Sequence, residues 1–209
     1  MKVSKEYHER RNEILDAAGR LFGVKGYSKC TVNDILGAVG IAKGTFYYYF
    51  KSKEEVLDAI IDRVTEIVVV RAKEAASHPE LSPVMKVLNI ILSMRVKNEV
   101  DNDFMEGLHK PENALMHQKS LSLMVTRVAP ILAKVVDQGI SQGIFKSDFP
   151  AQYMRIFLTA SITLLDDGIF QVKPEEQQMT LRALVALLEK MLGVEDEALC
   201  SVGNQYWGV

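Results

Sequence analysis

The residues best suited to contact a partner lie close together, between Thr31 and Lys53. Within this stretch the run KGTFYYYF, residues 43–50, supplies an ammonium group, hydroxyl groups and a glycine. Ammonium and hydroxyl groups donate hydrogen bonds, and a glycine lets a partner approach the backbone closely. We found no glycine loop for a phosphate, no nucleophile motif and no metal-ligand spacing of useful specificity. The pattern therefore favours recognition over catalysis.

Two short helices joined by a glycine turn are predicted to position these groups. Thr31 can cap the first helix, with Asp34 at capping-box spacing. Gly40 allows the left-handed turn that ends this helix. A second helix should then run over about residues 42–50. The spacing predicts a helix-turn-helix.

The second helix has one packing face and one open face. At roughly 100° per residue, Phe46, Tyr49 and Phe50 share a face that should pack against the first helix. The opposite face carries Gly44 and Tyr48. An aromatic run at helical spacing is ordinarily core, and we accept that interpretation for Phe46 and Phe50. The open face suits a DNA major groove, which admits a helix with short polar groups and cations.

This segment resembles the signature of the TetR family of bacterial transcription regulators. The residues that match in register are Asp34, Ile35, Gly40, Lys43, Gly44, Thr45, Phe46, Tyr47, Phe50, Ser52, Lys53 and Glu54. Ala42 departs from the family's frequent Ser or Thr, so one helix cap or phosphate contact should be missing. Tyr49 replaces a frequent histidine and should alter packing more than base reading.

The resemblance implies a homodimeric regulator, most often a repressor, that leaves a roughly palindromic DNA operator when a small apolar or amphipathic molecule enters its body. The DNA-binding residues predicted in this way are Thr31, Lys43, Gly44, Thr45, Tyr47, Tyr48 and Lys53. Among them, Thr31 and Lys53 should contact phosphates. An alternative is a DNA-bound structural or partner-recruiting regulator that has no small-molecule ligand.

Charge is distributed unevenly along the chain. Residues 1–53 contain ten Lys or Arg and five Asp or Glu, although the whole chain has a formal net charge of −2. A basic head on an acidic body fits a DNA-reading head joined to a regulatory body. The two cysteines are far apart, and no apolar stretch has the length of a signal peptide or a membrane span. These features predict a cytoplasmic protein.

Helical periodicity dominates the remaining sequence and predicts an all-α fold of about nine or ten helices. We expect a three-helix DNA-binding head at 1–52, a ligand-binding and dimerisation body at 53–192, and a tail at 193–209. Pro130 should bend or divide a long helix at about 112–142. No cofactor or metal is predicted, and His109 and His117 form only a weak metal-ligand pair.

Two sets of body residues are predicted to form contacts. The last two helices should build a four-helix dimer interface through Tyr153, Phe157, Ala160, Leu164, Leu181, Leu184, Val185, Leu188 and Met191. An apolar ligand cavity should use thioethers and aromatics with a few polar anchors, because such groups adapt to apolar molecules. Its predicted lining is Met94, Phe104, Met105, Met116, His117, Met124, Phe157 and Ser161.

Overall fold

The computed structural model describes residues 2–94, 102–195 and 199. Within these residues the chain forms helices and no strand, which confirms the predicted all-α class. The helices are α1 (Lys2–Lys25), α2 (Val32–Val39), α3 (Lys43–Tyr49), α4 (Lys53–Ser77), α5 (Pro83–Ser93), α6 (Asn102–Leu108), α7 (Ala114–Ser141), α8 (Pro150–Leu164) and α9 (Pro174–Leu192), with a 3-10 turn at Pro111–Asn113. No described helix is long and apolar enough to cross a membrane.

Local capping defines the helix-turn-helix. The Thr31 side chain accepts a hydrogen bond from the Asp34 backbone N–H, and the Asp34 side chain accepts one from the Thr31 N–H, so the predicted capping box is present. Gly40 ends α2 in the left-handed region at φ 72°. Ala42 precedes α3 without any side-chain cap, as its methyl group requires. At the start of α4, Ser52 Oγ accepts a hydrogen bond from the Glu55 N–H at 3.1 Å.

The chain divides into two compact units. The first contains residues 1–65 and 97–120, and the second contains residues 66–96 and 121–209. The first unit is therefore larger than the predicted head at 1–52, because it includes the first part of α4, α6 and the start of α7. The predicted tail at 193–209 falls mostly outside the described residues.

In the first unit, α6 packs against α1 through glycines. A Cβ added to Gly107 would lie 2.3 Å from the Gly23 Cα, so the two backbones touch at a distance that no larger residue allows. One turn before Gly23, Gly19 lies against Phe104 of α6. Small residues on both helices thus create the contact.

A buried asparagine holds the segment after α6 in place. Asn113 is fully buried, and its Oδ1 accepts a hydrogen bond from the Tyr27 N–H at 2.6 Å. Its Nδ2 donates to the carbonyls of Phe22 and Gly107 at 2.9 and 2.7 Å. The Phe22 and Gly107 carbonyls also accept hydrogen bonds from the Gly26 and Lys110 N–H groups, so Asn113 adds a second donor to each of them. The residue therefore joins three backbone segments of the first unit.

The second unit contains the continuous C-terminal part of α7. Pro130 lies inside that helix and does not divide it, so the division that we allowed for does not occur. At the end of α7, Gly139 provides the space for the Phe145 ring, since a Cβ there would lie 2.1 Å from the ring. Helices α8 and α9 pack against each other and contribute Met154, Leu158 and Leu188 to the core.

Candidate nucleic-acid interface

The aromatic side chains of α3, and of Phe50 directly after it, differ in burial. Phe46 and Phe50 are buried, as the periodicity predicts. Tyr47 and Tyr48 are 47% and 72% exposed. Tyr49 is half-buried, and its ring centroid lies 4.8 Å from that of Tyr7 in α1. The exposed face therefore presents aromatic rings that carry hydroxyl groups.

The first turn of α3 is open. Lys43 and Gly44 are exposed and Thr45 is half-buried. A Cβ built on Gly44 would meet nothing within 4 Å, so the glycine is not needed for packing inside the subunit. The absence of a side chain here leaves the backbone of the first turn accessible to a partner.

Thr31 is exposed at the start of α2 but takes part in local bonds. Its Oγ1 donates to Asp34 Oδ2 at 2.6 Å and accepts from the Asp34 N–H at 3.2 Å. Lys25 Nζ lies 2.7 Å from the other Asp34 carboxylate oxygen. The hydrogen bond from Lys25 and those from Thr31 hold the pKa of Asp34 well below its ordinary value. The N-terminus of α2 is thus anchored by an ionised carboxylate.

Lys53 is engaged inside the subunit. Its Nζ donates to the carbonyls of Tyr27 and Cys30, both at 2.7 Å, and lies 4.3 Å from the centroid of the Tyr27 ring. An ammonium group has three N–H donors, so one remains for another acceptor. Lys53 therefore fixes the turn between α1 and α2 to the start of α4, a role that the sequence signature does not reveal.

The predicted ligand-lining residues are divided between the two units. Phe104, Met116 and His117 belong to the first, where Phe104 and Met116 are buried. Those in the second are Met94, Met124, Phe157 and Ser161. The Met105 side chain lies outside the described residues. Within the described residues, Ser161 Oγ is buried without a hydrogen-bond partner.

Four of the nine residues of the predicted dimer stripe are part of the subunit's own core. Phe157, Leu184, Val185 and Leu188 are buried within the second unit. The half-buried members are Tyr153, Ala160, Leu181 and Met191, and Leu164 is exposed. A helix that is apolar on several sides does not reveal from its periodicity which side faces its own core. The large apolar side chains exposed on these helices are Ile156, Leu164, Met179 and Leu187.

Two ring contacts in the first unit were not predicted from the sequence. Tyr7 in α1 contacts the aromatic face of α3, although its helix offers no motif that indicates this. His109 and His117, considered above as a weak pair, have ring centroids 5.1 Å apart within the first unit. Spacing of eight residues across a proline could not predict that proximity.

Comparison with protein families gives two matches along the chain. A model described as bacterial regulatory proteins of the tetR family matches residues 14–60, which contain α2 and α3. A model described as a tetracyclin repressor-like C-terminal domain matches residues 96–187. The two matched regions follow each other without overlap.

Curated relatives are similar over different lengths. The probable HTH-type transcriptional regulator ArpR of Pseudomonas putida is 28% identical over 118 residues, 56% of this chain and 54% of that protein. The HTH-type transcriptional regulator TtgR, also of Pseudomonas putida, is 27% identical. The chain spans about half the length of each of these two relatives. The HTH-type transcriptional repressor KstR2 of Mycobacterium tuberculosis is 23% identical over 75% of this chain and 80% of its own.

Solved structures share the fold. The TetR family regulator PfmR from Thermus thermophilus matches with a TM-score of 0.56 and 22% identity, covering 85% of this chain and 95% of that chain. RolR in complex with its ligand resorcinol matches with a TM-score of 0.62 and 16% identity, covering 97% of this chain and 96% of that chain. The signature in α2 and α3 agrees with the two consecutive family models, with these relatives and with the common all-α architecture. The chain belongs to the TetR family of bacterial regulatory proteins.

Proposed function

We propose that this protein is a cytoplasmic DNA-binding transcriptional regulator, acting as a repressor. Members of its family bind DNA operators and act as dimers. The observation that carries the proposal is the open face of α3, on which Gly44, Tyr47 and Tyr48 are exposed on a helix held by a capped partner. A helix with this face fits a major groove, where hydroxyl groups meet base edges and phosphates.

The test is selection of bound sequences from a random DNA library by the purified protein. We expect an operator with two half-sites whose centres are about 34–36 Å apart, or a multiple of that distance, because a two-fold protein presents two recognition helices. Removal of Tyr47, Tyr48 and Lys53 together should abolish selection. Unchanged operator affinity in that triple variant would contradict the proposal.

The surface proposed for dimerisation is the exposed apolar face of α8 and α9. Its residues are Leu164, which belongs to the predicted stripe, and Ile156, Met179 and Leu187, which do not. These four large apolar side chains are exposed on two helices that pack against each other, and a protein partner would cover them. A second copy would cover them with the same face around a two-fold axis.

Release from DNA by a small apolar or amphipathic molecule is the regulatory part of the proposal. Support within the second unit comes from the adaptable side chains of Met94 and Met124 and from the unpartnered Ser161 hydroxyl described above. Buried polar groups ordinarily have partners, so this hydroxyl is a suitable anchor for a ligand. Ligand binding changes DNA affinity only if it favours one of two conformations.

The rival is a DNA-bound structural or partner-recruiting regulator without a ligand. Screening apolar and amphipathic compounds against the purified protein by thermal shift separates the two. A compound that raises the melting temperature and weakens operator binding supports a sensor. If no compound raised the melting temperature, the rival would be favoured, and compounds that bind but leave operator affinity unchanged would contradict release by a ligand. Ser161→Ala, which keeps the backbone and removes the hydroxyl, should weaken binding of a compound with a polar group.

A further inference from the structure

Three tyrosines from two helices form a contiguous group beside the recognition face. The Tyr7 ring centroid lies 5.9 Å from that of Tyr48 and 4.8 Å from that of Tyr49. Tyr48 and Tyr49 meet edge to face, with centroids 5.0 Å apart and planes at 88°. We call Tyr7, Tyr48 and Tyr49 the tyrosine cluster.

The start of α1 is held beside α3 by a second contact. Arg11 follows Tyr7 by four residues, so the two side chains share one face of α1. Its guanidinium carbon lies 5.1 Å from the centroid of the Phe50 ring, at the end of α3. Because Phe50 is buried, its ring has a fixed position beside this face of α1. Tyr7 and Arg11 of α1 thus contact three consecutive rings, those of Tyr48 and Tyr49 in the last turn of α3 and that of Phe50 directly after it.

Tyr48 combines high exposure with ring contacts to both other members of the cluster. It is 72% exposed, yet Tyr7 and Tyr49 each meet its ring at steep angles, with interplanar angles of 78° and 88°. An exposed tyrosine otherwise samples several rotamers, and restricting it on binding costs free energy. Two neighbouring rings reduce that freedom before any partner arrives, while most of the Tyr48 surface stays accessible.

We propose that Tyr7 is a positioning residue that fixes Tyr48 for DNA reading and thereby determines base selectivity. The inference rests on the proposed function, because it assigns a role within that DNA interface. A held tyrosine matches one arrangement of base edges, whereas a free one adjusts to several. Loss of Tyr7 should therefore lower discrimination between sequences more than it lowers affinity for DNA in general.

The experiment uses the full chain and the operator obtained by selection, with single-base variants of each half-site and an unrelated duplex. Affinities are measured for wild type, Tyr7→Ala, Tyr7→Phe, Tyr48→Ala and the Tyr7→Ala/Tyr48→Ala double variant. Asn12→Ala, an exposed change on the same helix, is the matched control. Melting temperatures show that each variant folds. Nuclear magnetic resonance of labelled tyrosine in the DNA-free protein reports the Tyr48 ring directly.

Tyr7→Ala should reduce discrimination at the positions that Tyr48 reads by about two- to tenfold, the range expected for loss of an aromatic pair. Tyr7→Phe should restore it, because the ring remains. In the Tyr48→Ala background, Tyr7→Ala should have no further effect on discrimination. In the free protein, Tyr7→Ala should shift the Tyr48 ring resonances.

Three results would overturn the assignment. Discrimination could stay unchanged in Tyr7→Ala, it could fall additively in the double variant, or Tyr7→Phe could behave like Tyr7→Ala, which would indicate a direct contact by the hydroxyl. If wild type binds the operator selectively and any one of these three results appears, only the proposed role of Tyr7 is wrong. If wild type shows no sequence preference at all, the proposed function fails and the role of Tyr7 with it.

Discussion

The helix pair α2–α3 and the helix pair α8–α9 obtain their geometry from different sources. Helices α2 and α3 are eight and seven residues long, and a capping box and a left-handed glycine fix the limits of α2. Helices α8 and α9 are 15 and 19 residues long and have no side-chain cap at their N-termini. The eight residues of α2 have both ends specified locally, whereas α8 and α9 are stabilised mainly by the faces they bury, with Gly193 as the left-handed end of α9.

The exposed side chains of the two pairs also differ in chemistry. In α3 the exposed large residues are Tyr47 and Tyr48, which carry a polar group at the end of an apolar ring. In α8 and α9 they include Ile156 and Leu187, which have no polar group. Amphipathic rings suit a hydrated, charged partner, and aliphatic side chains suit another protein surface. Substitutions on the exposed face of α3 should therefore change DNA binding, and substitutions on the exposed face of α8 and α9 should change self-association.

The largest effect is expected from two adjacent leucines of α9. Leu188 is 1% exposed, so Leu188→Glu should unfold the subunit or destabilise it by about 4 kcal/mol or more, since it buries a charge. Leu187 is 39% exposed, and Leu187→Glu should leave each subunit folded while weakening self-association at least about tenfold. Circular dichroism measures the first effect and light scattering after gel filtration the second. A folded dimer of both variants would show that the face of α9 is assigned incorrectly.

A smaller effect is expected at the start of α4. Lys53→Met removes two charged hydrogen bonds to carbonyls and should lower the free energy of unfolding by about 1–3 kcal/mol. Lys51→Met, a matched change of an exposed lysine two residues earlier, should alter it by no more than about 0.5 kcal/mol. Denaturant unfolding measures both.

The salt dependence of operator binding tests the remaining Lys53 donor separately. If it contacts a phosphate, the slope in Lys53→Met falls by about one unit. Unchanged stability in that variant would contradict the structural role of Lys53, whatever happens to the slope.

The contrast between the two pairs explains how much the sequence could predict. The limits of α2, the left-handed Gly40 and the burial of Phe46 follow from signals within a few residues of each other, and the structure confirms them. The buried face of α9 depends on residues that are distant in sequence, so its periodicity alone does not decide which of its apolar sides faces the core, and the dimer interface stays a prediction. The contact of Gly107 with Gly23 and the bonds of Asn113 to Tyr27 and Phe22 join residues more than 80 positions apart, and neither residue type signals a distant partner.

Capping changes should give moderate effects of opposite sign in the helix-turn-helix. Ala42→Ser supplies the side-chain acceptor that α3 lacks and should raise the free energy of unfolding by about 0.5–1 kcal/mol. Thr31→Ala removes the existing cap of α2 and should lower it by about 1 kcal/mol. Both are measured by denaturant unfolding of the full chain. If neither change altered the free energy of unfolding, local caps would not govern this region, and the comparison with α8–α9 would lose its basis.

The smallest effect concerns the acid sensitivity of the same cap. The hydrogen bonds from Lys25 and Thr31 lower the pKa of Asp34 in the folded protein, so its ionised form favours folding. This contribution is present above the pKa of the unfolded chain, near about 4, and is lost as the pH falls from there towards the folded pKa. Wild type should therefore be more stable than Asp34→Asn at pH 7, and the difference should shrink below about pH 4. Unfolding of both proteins by denaturant between pH 3 and 7 measures it. Because Asp34 is only half-buried, salt should reduce the difference as well. A difference that is independent of pH would mean that the Asp34 charge contributes nothing to the cap, and that the hydrogen-bond geometry alone defines the start of α2.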